Sequence, residues 1–408
     1  MSIVVQKYGG SSVADLDRLR RVAGRVMQTR ARGHDVVVVV SAMGDTTDDL
    51  LGMAKRLSPN PDRRELDMLL SAGERISMAL LSIAIREMGG DAISFTGSQS
   101  GIITNDRHVD ARIIEVRPFR VQDELARGRI VVIAGYQGVS YRREVTTLGR
   151  GGSDTTAVAM AAALDAEYCE ICSDVDGVYS ADPRVVPEAR RIDVLSYEET
   201  QEMAEAGAKV LNAQAVEFAK ARGIAIYARA TAGPLPGADP SADGTVVRKQ
   251  PPRMPGVVVG VASERDLLVL ESSAPMAQLL ELLDARETGA KALHMAAQEA
   301  SGARTSLIIP RENLHDEARL RDRLHGRFGD SVRLVDGLAA VSAIGAGINT
   351  TWANVRRGTD ALARLGLPVA GVTTSSFRVT WLVARDRTSD AVRALHQVFL
   401  EAAPPPVP

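Results

Sequence analysis

The chain has 408 residues, of which 45% are hydrophobic and 25% are charged, and its formal net charge at pH 7 is −2. This composition is that of a globular protein, and the length predicts two or three domains. The small net charge gives no electrostatic basis for binding nucleic acid or a membrane surface, and 4% aromatic residues argue against base-stacking platforms. No apolar run follows a basic N-terminal segment or approaches a membrane span, so we expect a cytoplasmic protein.

The chain opens with an apolar stretch that leads into Lys7, then the glycine pair Gly9 and Gly10, and then two serines. A buried strand followed by glycines and a helix places backbone N–H groups where phosphate oxygens can bind. Six of the 49 basic residues are lysines, so a lysine at this turn indicates a need for a compact ammonium group. The alternative is a solvated lysine at the end of a strand.

Residues 1–230 alternate strand-like apolar runs with amphipathic helical segments, which is typical of an α/β layered domain. The five consecutive valines at 36–40 predict a strand that is buried on both faces. Further strands are predicted at 129–134, 168–172 and 224–228, and helices at 16–29, 68–88, 154–164 and 198–221.

The pattern changes after residue 231. Residues 232–256 contain six prolines and predict a linker or surface loop. Beyond them, shorter patterns indicate a weak internal repeat of two βαββαβ-type units of roughly 70 residues each. The proline-rich tail at 402–408 is expected to be disordered.

Two further segments carry polar residues that could bind a ligand. The stretch from Ser41 to Asp48 directly follows the valine strand, and ligands bind beyond the carboxyl ends of strands in open α/β sheets. An ordinary polar loop before a helix would have the same sequence pattern. Glu74 is predicted within the first turns of an apolar helix. There its carboxylate suits either the helix dipole or the binding of an amine.

The segment 146–156 is the strongest candidate ligand loop. It carries three glycines around Arg150, followed by Ser153 and Asp154 at the start of a predicted helix. Arginine can bind a carboxylate or phosphate through two parallel hydrogen bonds, whereas Ser153 could simply be the N-cap.

Residues 173–184 leave the strand predicted at 168–172 and are rich in turn residues. This segment could contact the base and ribose of a nucleotide, or Asp174 and Asp176 could only form turns. Cys169 and Cys172 form a lone CxxC pair on a strand, where their side chains would point to opposite faces, so we predict no metal or redox site there.

Eight segments together resemble aspartate kinases of the amino-acid-kinase superfamily, in the order and spacing of that family. The segments are VVQKYGGSSV, VSAMGDTTDDLL, DMLLSAGERIS, SFTGSQSGIIT, IAGYQGV, VTTLGRGGSDTTAVA, CSDVDGVYSADPR and AGAKVLN. The region after 256 resembles, more weakly, the paired ACT regulatory domains of the same family.

The resemblance implies a three-layer α/β/α amino-acid-kinase-like catalytic domain at 1–249. A linker, an exchanged strand and a first ACT domain would follow at 250–335, and a second ACT domain at 336–401, each with a ferredoxin-like βαββαβ fold. The strand at 257–262 would then pair with residues after 338, because the first ACT unit is inserted into the second. ACT pairing across subunits implies a homodimer or a larger assembly.

The family phosphorylates the side-chain carboxylate of L-aspartate with ATP and Mg²⁺, the first step toward lysine, threonine and methionine. By motif, the implied catalytic residues are Lys7 and Asp154. ATP would contact Lys7, Gly9, Gly10, Ser41, Ser173, Asp174, Tyr179, Arg184 and Lys209. Aspartate would contact Ser41, Thr47, Glu74, Arg150, Gly152 and Ser153. No protein-held metal site is predicted.

The chain departs from the family pattern mainly in its second half. Residues 271–276 replace a D-K-P-G-like loop, and Ser376 replaces a glutamate, so we predict weakened, altered or absent feedback by lysine or threonine. Asn212, Ala213 and Gln214 replace a frequent H-P-R string, so a basic residue of the family is missing near the expected active site, and the sequence does not say with what effect. Two alternatives stay open: a kinase for a modified acidic amino acid in a specialised pathway, and a non-catalytic ACT sensor.

Overall fold

The computed structural model describes residues 1–149, 151–208, 210–249, 254–285, 288, 290–298, 302–311, 314 and 316–401. They fall into two compact units. Unit 1 contains the described residues of 1–179, 191–204 and 209–251, and unit 2 contains those of 180–190, 205–208 and 252–408. The two short segments that belong to unit 2 while lying inside the predicted catalytic domain were not anticipated.

The elements up to residue 249 alternate strands and helices. The strands are β1 Ile3–Tyr8, β2 Asp35–Val40, β3 Ala92–Phe95, β4 Ile102–Thr104, β5 Ile113–Val116, β6 Ile130–Ala134, β7 Gln137–Ser140, β8 Val145–Thr147, β9 Tyr168–Ser173, β10 Val194–Leu195, β11 Ala225–Ala230 and β12 Thr245–Val247. The helices are α1 Leu16–Ala31, α2 Thr46–Leu57, α3 Arg63–Glu87, α4 Phe119–Ala126, α5 Gly152–Ala163, α6 Tyr197–Glu205 and α7 Ala213–Arg222.

The main sheet of unit 1 has eight strands in the order β10-β12-β11-β9-β1-β2-β6-β3. Its centre is parallel, and β12 runs antiparallel to β11. Helices α1 and α3 pack on the face that carries Tyr8 and Val38. Helix α5 packs on the opposite face, where Lys7 projects toward it. Burial of β2 on both faces explains its run of valines.

Unit 2 contains two four-stranded sheets. Its strands are β13 Gly260–Glu264, β14 Leu267–Ser272, β15 Ala292–Gln298, β16 Gly302–Pro310, β17 Val332–Val335, β18 Leu338–Ile344, β19 Gly371–Thr374 and β20 Arg378–Ala384. Its helices are α8 Met276–Asp284, α9 Glu317–Phe328, α10 Ala353–Arg364 and α11 Thr388–His396. The sheet orders are β15-β16-β14-β17 and β13-β18-β20-β19.

Both sheets of unit 2 have the ferredoxin-like strand order. In the sheet β13-β18-β20-β19, the edge strand β13 precedes all strands of the other sheet in the sequence. Strand β13 pairs antiparallel with β18, from Gly260 opposite Ile344 to Glu264 opposite Ala340. This confirms the predicted strand exchange, with the strand starting three residues later than expected. The predicted fold class, a three-layer α/β/α domain followed by two ferredoxin-like modules, is confirmed.

Two predicted helices differ from the structure. The helix expected from residue 68 begins at Arg63, capped by the Asp62 side chain, which accepts hydrogen bonds from two backbone amides. The segment predicted as one helix at 198–221 is two helices, α6 and α7. The break contains Gly207 at a φ of 105° and Asn212 as the N-cap of α7.

The four-stranded sheet β5-β4-β7-β8 and strand β12 were also not predicted from the sequence. Strand β12 lies in the proline-rich segment and joins the main sheet, so that segment is not a simple linker. The predicted boundary at 335/336 stays a prediction. The predicted disordered tail at 402–408 lies outside the described residues.

Helix α3 corrects the expectation that no run approaches a membrane span. Among the described residues it is the one helix long and apolar enough to cross a membrane by length and composition. Half of the most apolar 18-residue stretch of α3 is buried inside the fold, and Asp67 and Glu74 lie on the buried face of the helix. These features are those of a core helix.

Candidate active site

Backbone hydrogen bonds connect the end of β1 to β9 and to the loop after β2. The amide of Gly9 donates to the carbonyl of Cys172 at 3.2 Å, and the amide of Ser41 donates to the carbonyl of Tyr8 at 3.1 Å. A Cβ on Gly10 would lie 3.0 Å from the carbonyl oxygens of Ala42 and Gly44, so a side chain there would be crowded. The predicted residues Gly9, Gly10 and Ser41 therefore meet at the carboxyl edge of the parallel strands, as expected.

Lys7 forms an ion pair with Asp154 at this edge. Its Nζ lies 2.6 Å from Oδ1 of Asp154, and the two side chains are 12% and 10% exposed. Asp154 lies in the first turn of α5, where a carboxylate also interacts favourably with the helix N-terminus. A Cβ on Gly9 would lie 3.4 Å from the Lys7 Nζ, so the ammonium group sits directly against the glycine turn.

The entrance to α5 is built from glycines. Gly151, at a φ of 73°, is the N-cap residue, so the alternative role of Ser153 as N-cap is wrong. Ser153 lies one residue inside the helix after Gly152. It faces Gly135, where a Cβ would lie 2.8 Å from both Cβ and Oγ of Ser153. Arg150 lies outside the described residues.

Glu74 is a buried carboxylate with one oxygen available. It lies in the interior of α3 rather than in its first turns, so the alternative role at the helix dipole is wrong. The side chain is 2% exposed, and Oε1 accepts a hydrogen bond from the amide of Ala42 at 3.1 Å. Among the described residues Oε2 has no hydrogen-bond partner.

Burial raises the pKa of Glu74 from 4.5 to about 7. Helix α3 can approach the loop after β2 because residue 73 is glycine; a Cβ there would lie 2.8 Å from Cβ of Ala42. Thr47, at the start of α2, is half-buried. A buried carboxylate with a free oxygen is suited to a cationic partner such as an amino-acid ammonium group.

The segment predicted to bind nucleotide is divided between the units. Ser173 ends β9, and its carbonyl accepts from the amide of Thr231 at 2.8 Å, while Asp174 is exposed. The hydroxyl of Tyr179 donates to Asp176 at 2.9 Å. Arg184 belongs to unit 2, where its guanidinium binds Asp182 through two nitrogens at 3.0 and 2.8 Å. The predicted phosphate contact Lys209 lies outside the described residues.

Asn212 has a role that the sequence comparison left open. Its Oδ1 accepts from the amides of Gln214 and Ala215, which caps α7, and from the hydroxyl of Thr155 on α5 at 3.3 Å. A Cβ on Gly151 would also lie 2.8 Å from the Asn212 Cβ. Asn212 thus ties α7 to the entrance of α5. In the sequence, an asparagine directly before a helical segment is the signal that could have indicated this helix start.

Within the described residues, no group of three or more His, Cys, Asp or Glu side chains could hold a metal ion. Cys169 and Cys172 are free and buried. Magnesium is commonly held by one or two carboxylates together with substrate phosphates, and Asp154 beside the glycine turn suits that arrangement. The residues present therefore fit a magnesium ion that arrives with a nucleotide.

Comparison with known proteins agrees with this geometry. The model of the amino acid kinase family matches residues 2–228. Aspartokinase of Mycolicibacterium smegmatis is 44% identical, covering 98% of this chain and 96% of the relative. Aspartokinase of Thermus thermophilus is 38% identical, covering 98% and 99%.

Solved structures of aspartate kinases are also similar to this chain. Escherichia coli aspartokinase III in complex with aspartate and ADP has a TM-score of 0.83 at 26% identity, covering 98% of this chain and 100% of that one. The same enzyme in complex with lysine and aspartate has a TM-score of 0.70 at 25% identity, covering 98% and 99%. The chain belongs to the amino acid kinase family. Within that family it groups with the aspartate kinases, and it is an ATP-dependent phosphotransferase.

Proposed function

We propose that this enzyme transfers the γ-phosphoryl group of ATP to the side-chain carboxylate of L-aspartate and forms 4-phospho-L-aspartate. The observation that carries the proposal is the buried Lys7–Asp154 ion pair, 2.6 Å long, against the glycine turn. Support comes from the related E. coli enzyme, whose solved complex contains aspartate and ADP.

The chemistry needs positive charge rather than a general base. An aspartate side chain with a pKa of about 4 is already ionised at neutral pH. The barrier comes from bringing this anion in line with an anionic triphosphate. In our proposal the Lys7 ammonium group and the amides of Gly9, Gly10 and Ser41 bind the phosphate oxygens. Asp154 holds the lysine in place. Bound magnesium would neutralise further phosphate charge.

The substrate is held by its α-substituents. Glu74 binds the α-ammonium group through its free oxygen, and ionisation of Glu74 is favoured by that contact. Ser41, Thr47, Gly152 and Ser153, with Arg150, bind the α-carboxylate of aspartate. Because the α-ammonium and α-carboxylate groups of aspartate are bound by different residues, the side chain of aspartate points toward the phosphates of ATP. Ser173, Asp174 and Tyr179, with Arg184 and Lys209, contact the nucleotide.

A hydroxylamine-trapping assay with ATP, Mg²⁺ and L-aspartate tests the proposal. The expected result is an aspartyl hydroxamate that forms only when aspartate and ATP are both present. Absence of hydroxamate from folded enzyme that binds ATP would refute the assignment of aspartate. Modified acidic amino acids would then be tested as acceptors, and failure with these would favour the sensor.

We further propose that the enzyme is cytoplasmic, acts at the first step toward lysine, threonine and methionine, and assembles as a homodimer or larger through ACT pairing. The two ferredoxin-like modules of unit 2 support this assembly. Feedback is proposed to be weakened or altered because Ser376 and residues 271–276 depart from the family pattern. Sedimentation equilibrium would test the assembly, and a monomer at micromolar concentration would refute it.

A further inference from the structure

Helix α3 carries a second buried carboxylate, Asp67, seven residues before Glu74. Seven residues advance a helix by about 10.5 Å and return the side chain to nearly the same face. Asp67 is 0% exposed and has no role in the reaction proposed above. Burying a carboxylate is costly unless it is paired or hydrogen-bonded, so the groups around Asp67 indicate what it holds in place.

Three groups from two other segments surround Asp67. Its Oδ1 accepts from the hydroxyl of Thr147 at 2.5 Å and from the amide of Val109 at 3.0 Å. Its Oδ2 lies 2.5 Å from Nδ1 of His108. Burial raises the pKa of Asp67, and the hydrogen bonds from Thr147 and His108 act in the opposite direction. In contrast with Glu74, both oxygens of Asp67 are occupied by the chain itself.

The segment around Val109 is held in an unfavourable backbone conformation to make these contacts. Val109 is β-branched and has a φ of 73°, a region that such residues rarely adopt. Strain of this kind persists only where surrounding contacts impose it. The amide of Ala111 also donates to the carbonyl of Thr147 at 2.8 Å. Thr147 is therefore fixed through its side chain by Asp67 and through its backbone by Ala111.

Thr147 ends β8, and the glycine loop that leads to α5 follows it. Gly149 has a φ of 72°, and a Cβ on it would lie 3.0 Å from Oδ1 of Asp110, next to the strained Val109. The loop then reaches Gly152 and Ser153. Asp67 thus connects the helix of Glu74 to the start of the loop that carries the other proposed aspartate contacts.

We propose that Asp67 and Thr147 are positioning residues that set the distance between Glu74 and the glycine loop. This rests on the proposed function, because it assigns the ammonium group of aspartate to Glu74 and its carboxylate to the loop. Neither residue touches the substrate. Loss of their hydrogen bond should weaken the binding of aspartate and leave the nucleotide site at the end of β9 unchanged.

The test compares three variants of the full-length enzyme. Thr147→Val removes the hydroxyl with little change in volume, and Thr147→Ser keeps the hydroxyl. Thr146→Val is the matched control, since the Thr146 hydroxyl pairs with Thr104 at 2.6 Å and not with Asp67. We expect T147V to raise the KM for aspartate about tenfold with the KM for ATP unchanged, as for loss of one hydrogen bond to a charged group. T147S should largely restore the wild-type KM.

The proposal is refuted if T147V keeps the wild-type KM for aspartate, if it raises both KM values equally, or if T146V has the same effect. Circular dichroism and thermal unfolding of each variant identify a folding defect, and T147S supplies the comparison if T147V is destabilised. A wild-type enzyme that phosphorylates no aspartate would instead refute the proposed function. The two failures are therefore distinguishable.

Discussion

Units 1 and 2 use charge in different ways. Unit 1 buries charged groups from distant parts of the chain at one edge of its sheet, with Lys7 against Asp154 and Glu74 holding a free oxygen. Unit 2 has an ion-pair network on its surface, in which Arg311 binds Glu317 at 2.9 Å and Arg321 binds Asp336 at 2.7 Å. Buried charge is costly, and perturbed charged groups often mark functional sites, so we assign the proposed binding and chemistry to these groups of unit 1.

A fold can keep its strand order while the loops that bind ligands change. Unit 2 has the ferredoxin-like strand order, although its loops at 271–276 and around Ser376 depart from the family pattern. Strand order depends on apolar alternation, which tolerates substitution, whereas a binding site depends on particular loop residues. If function is concentrated in unit 1, substitutions of its charged groups should change catalysis far more than effectors that would bind unit 2.

Removal of the Lys7 ammonium group should have the largest effect. Lys7→Ala should lower kcat by about 10³-fold or more, because preorganised positive charge at the phosphates is lost. Lys55→Ala is the control, since Lys55 is an exposed lysine on α2. Steady-state kinetics and circular dichroism measure the effect. Near-normal turnover of folded K7A would contradict the role of Lys7.

Glu74→Gln should act on substrate binding. We expect the KM for aspartate to rise about 100-fold and the KM for ATP to stay within twofold, because the ammonium group loses a buried anionic partner. In the wild type, protonation of Glu74 around its pKa of about 7 should raise the KM for aspartate as the pH falls. E74Q should lack this dependence. An unchanged pH profile in E74Q would assign the titration to another group.

The same carboxyl should also affect stability with pH. Its folded pKa of about 7 exceeds the ordinary value of 4.5, so its contribution to stability is fully present below pH 4.5 and is lost as the pH rises to about 7. Urea unfolding at pH 5 and pH 8 should show that the wild type loses about 2 kcal/mol more than E74Q over this range. An equal loss in both proteins would contradict the burial of an ionisable Glu74.

Core packing of unit 2 gives a prediction that is independent of chemistry. A Cβ on Gly358 of α10 would overlap the ring of the buried Trp381. Gly358→Ala should destabilise the fold by about 1–3 kcal/mol, as expected for overpacking. Gly326→Ala is the control, because nothing lies within 4 Å of a Cβ at that position on α9. Equal thermal unfolding of the two variants would contradict the described packing.

The smallest effect is expected from feedback effectors. Lysine or threonine at millimolar concentration should change the rate by less than about twofold, which corresponds to a weak coupling free energy between sites. Initial rates with each amino acid, singly and together, measure this. Strong inhibition would show that the divergent loops of unit 2 still form an effector site.

Local sequence patterns predicted most of the main sheet and the loops at its edge. Strand β2 is predicted by its five consecutive valines, and the turn after β1 is predicted by its glycine pair. The structure has both features at the predicted positions. The exchanged strand β13 was predicted through the family resemblance. The break between α6 and α7 was missed, although Gly207 and Asn212 are typical of a helix end and a helix start.

Contacts that depend on distant residues could not be predicted. Asp67 binds Thr147, which is 80 residues away, and no periodicity connects the two positions. The burial that raises the pKa of Glu74 likewise depends on the approach of α3 to the loop after β2. The short strands β4, β5, β7 and β8 have three or four residues each, too few for a clear alternation of polar and apolar residues.

The most direct test of the central claim follows oxygen atoms from substrate to product. The wild type is supplied with ATP, Mg²⁺ and L-aspartate labelled with ¹⁸O in the side-chain carboxylate, and the acyl phosphate is cleaved by hydroxylamine at carbon. If a side-chain oxygen attacks the γ-phosphorus, the released phosphate carries one ¹⁸O atom, and aspartate labelled in the α-carboxylate gives unlabelled phosphate. The opposite labelling, or none in either case, would contradict phosphorylation of the side chain.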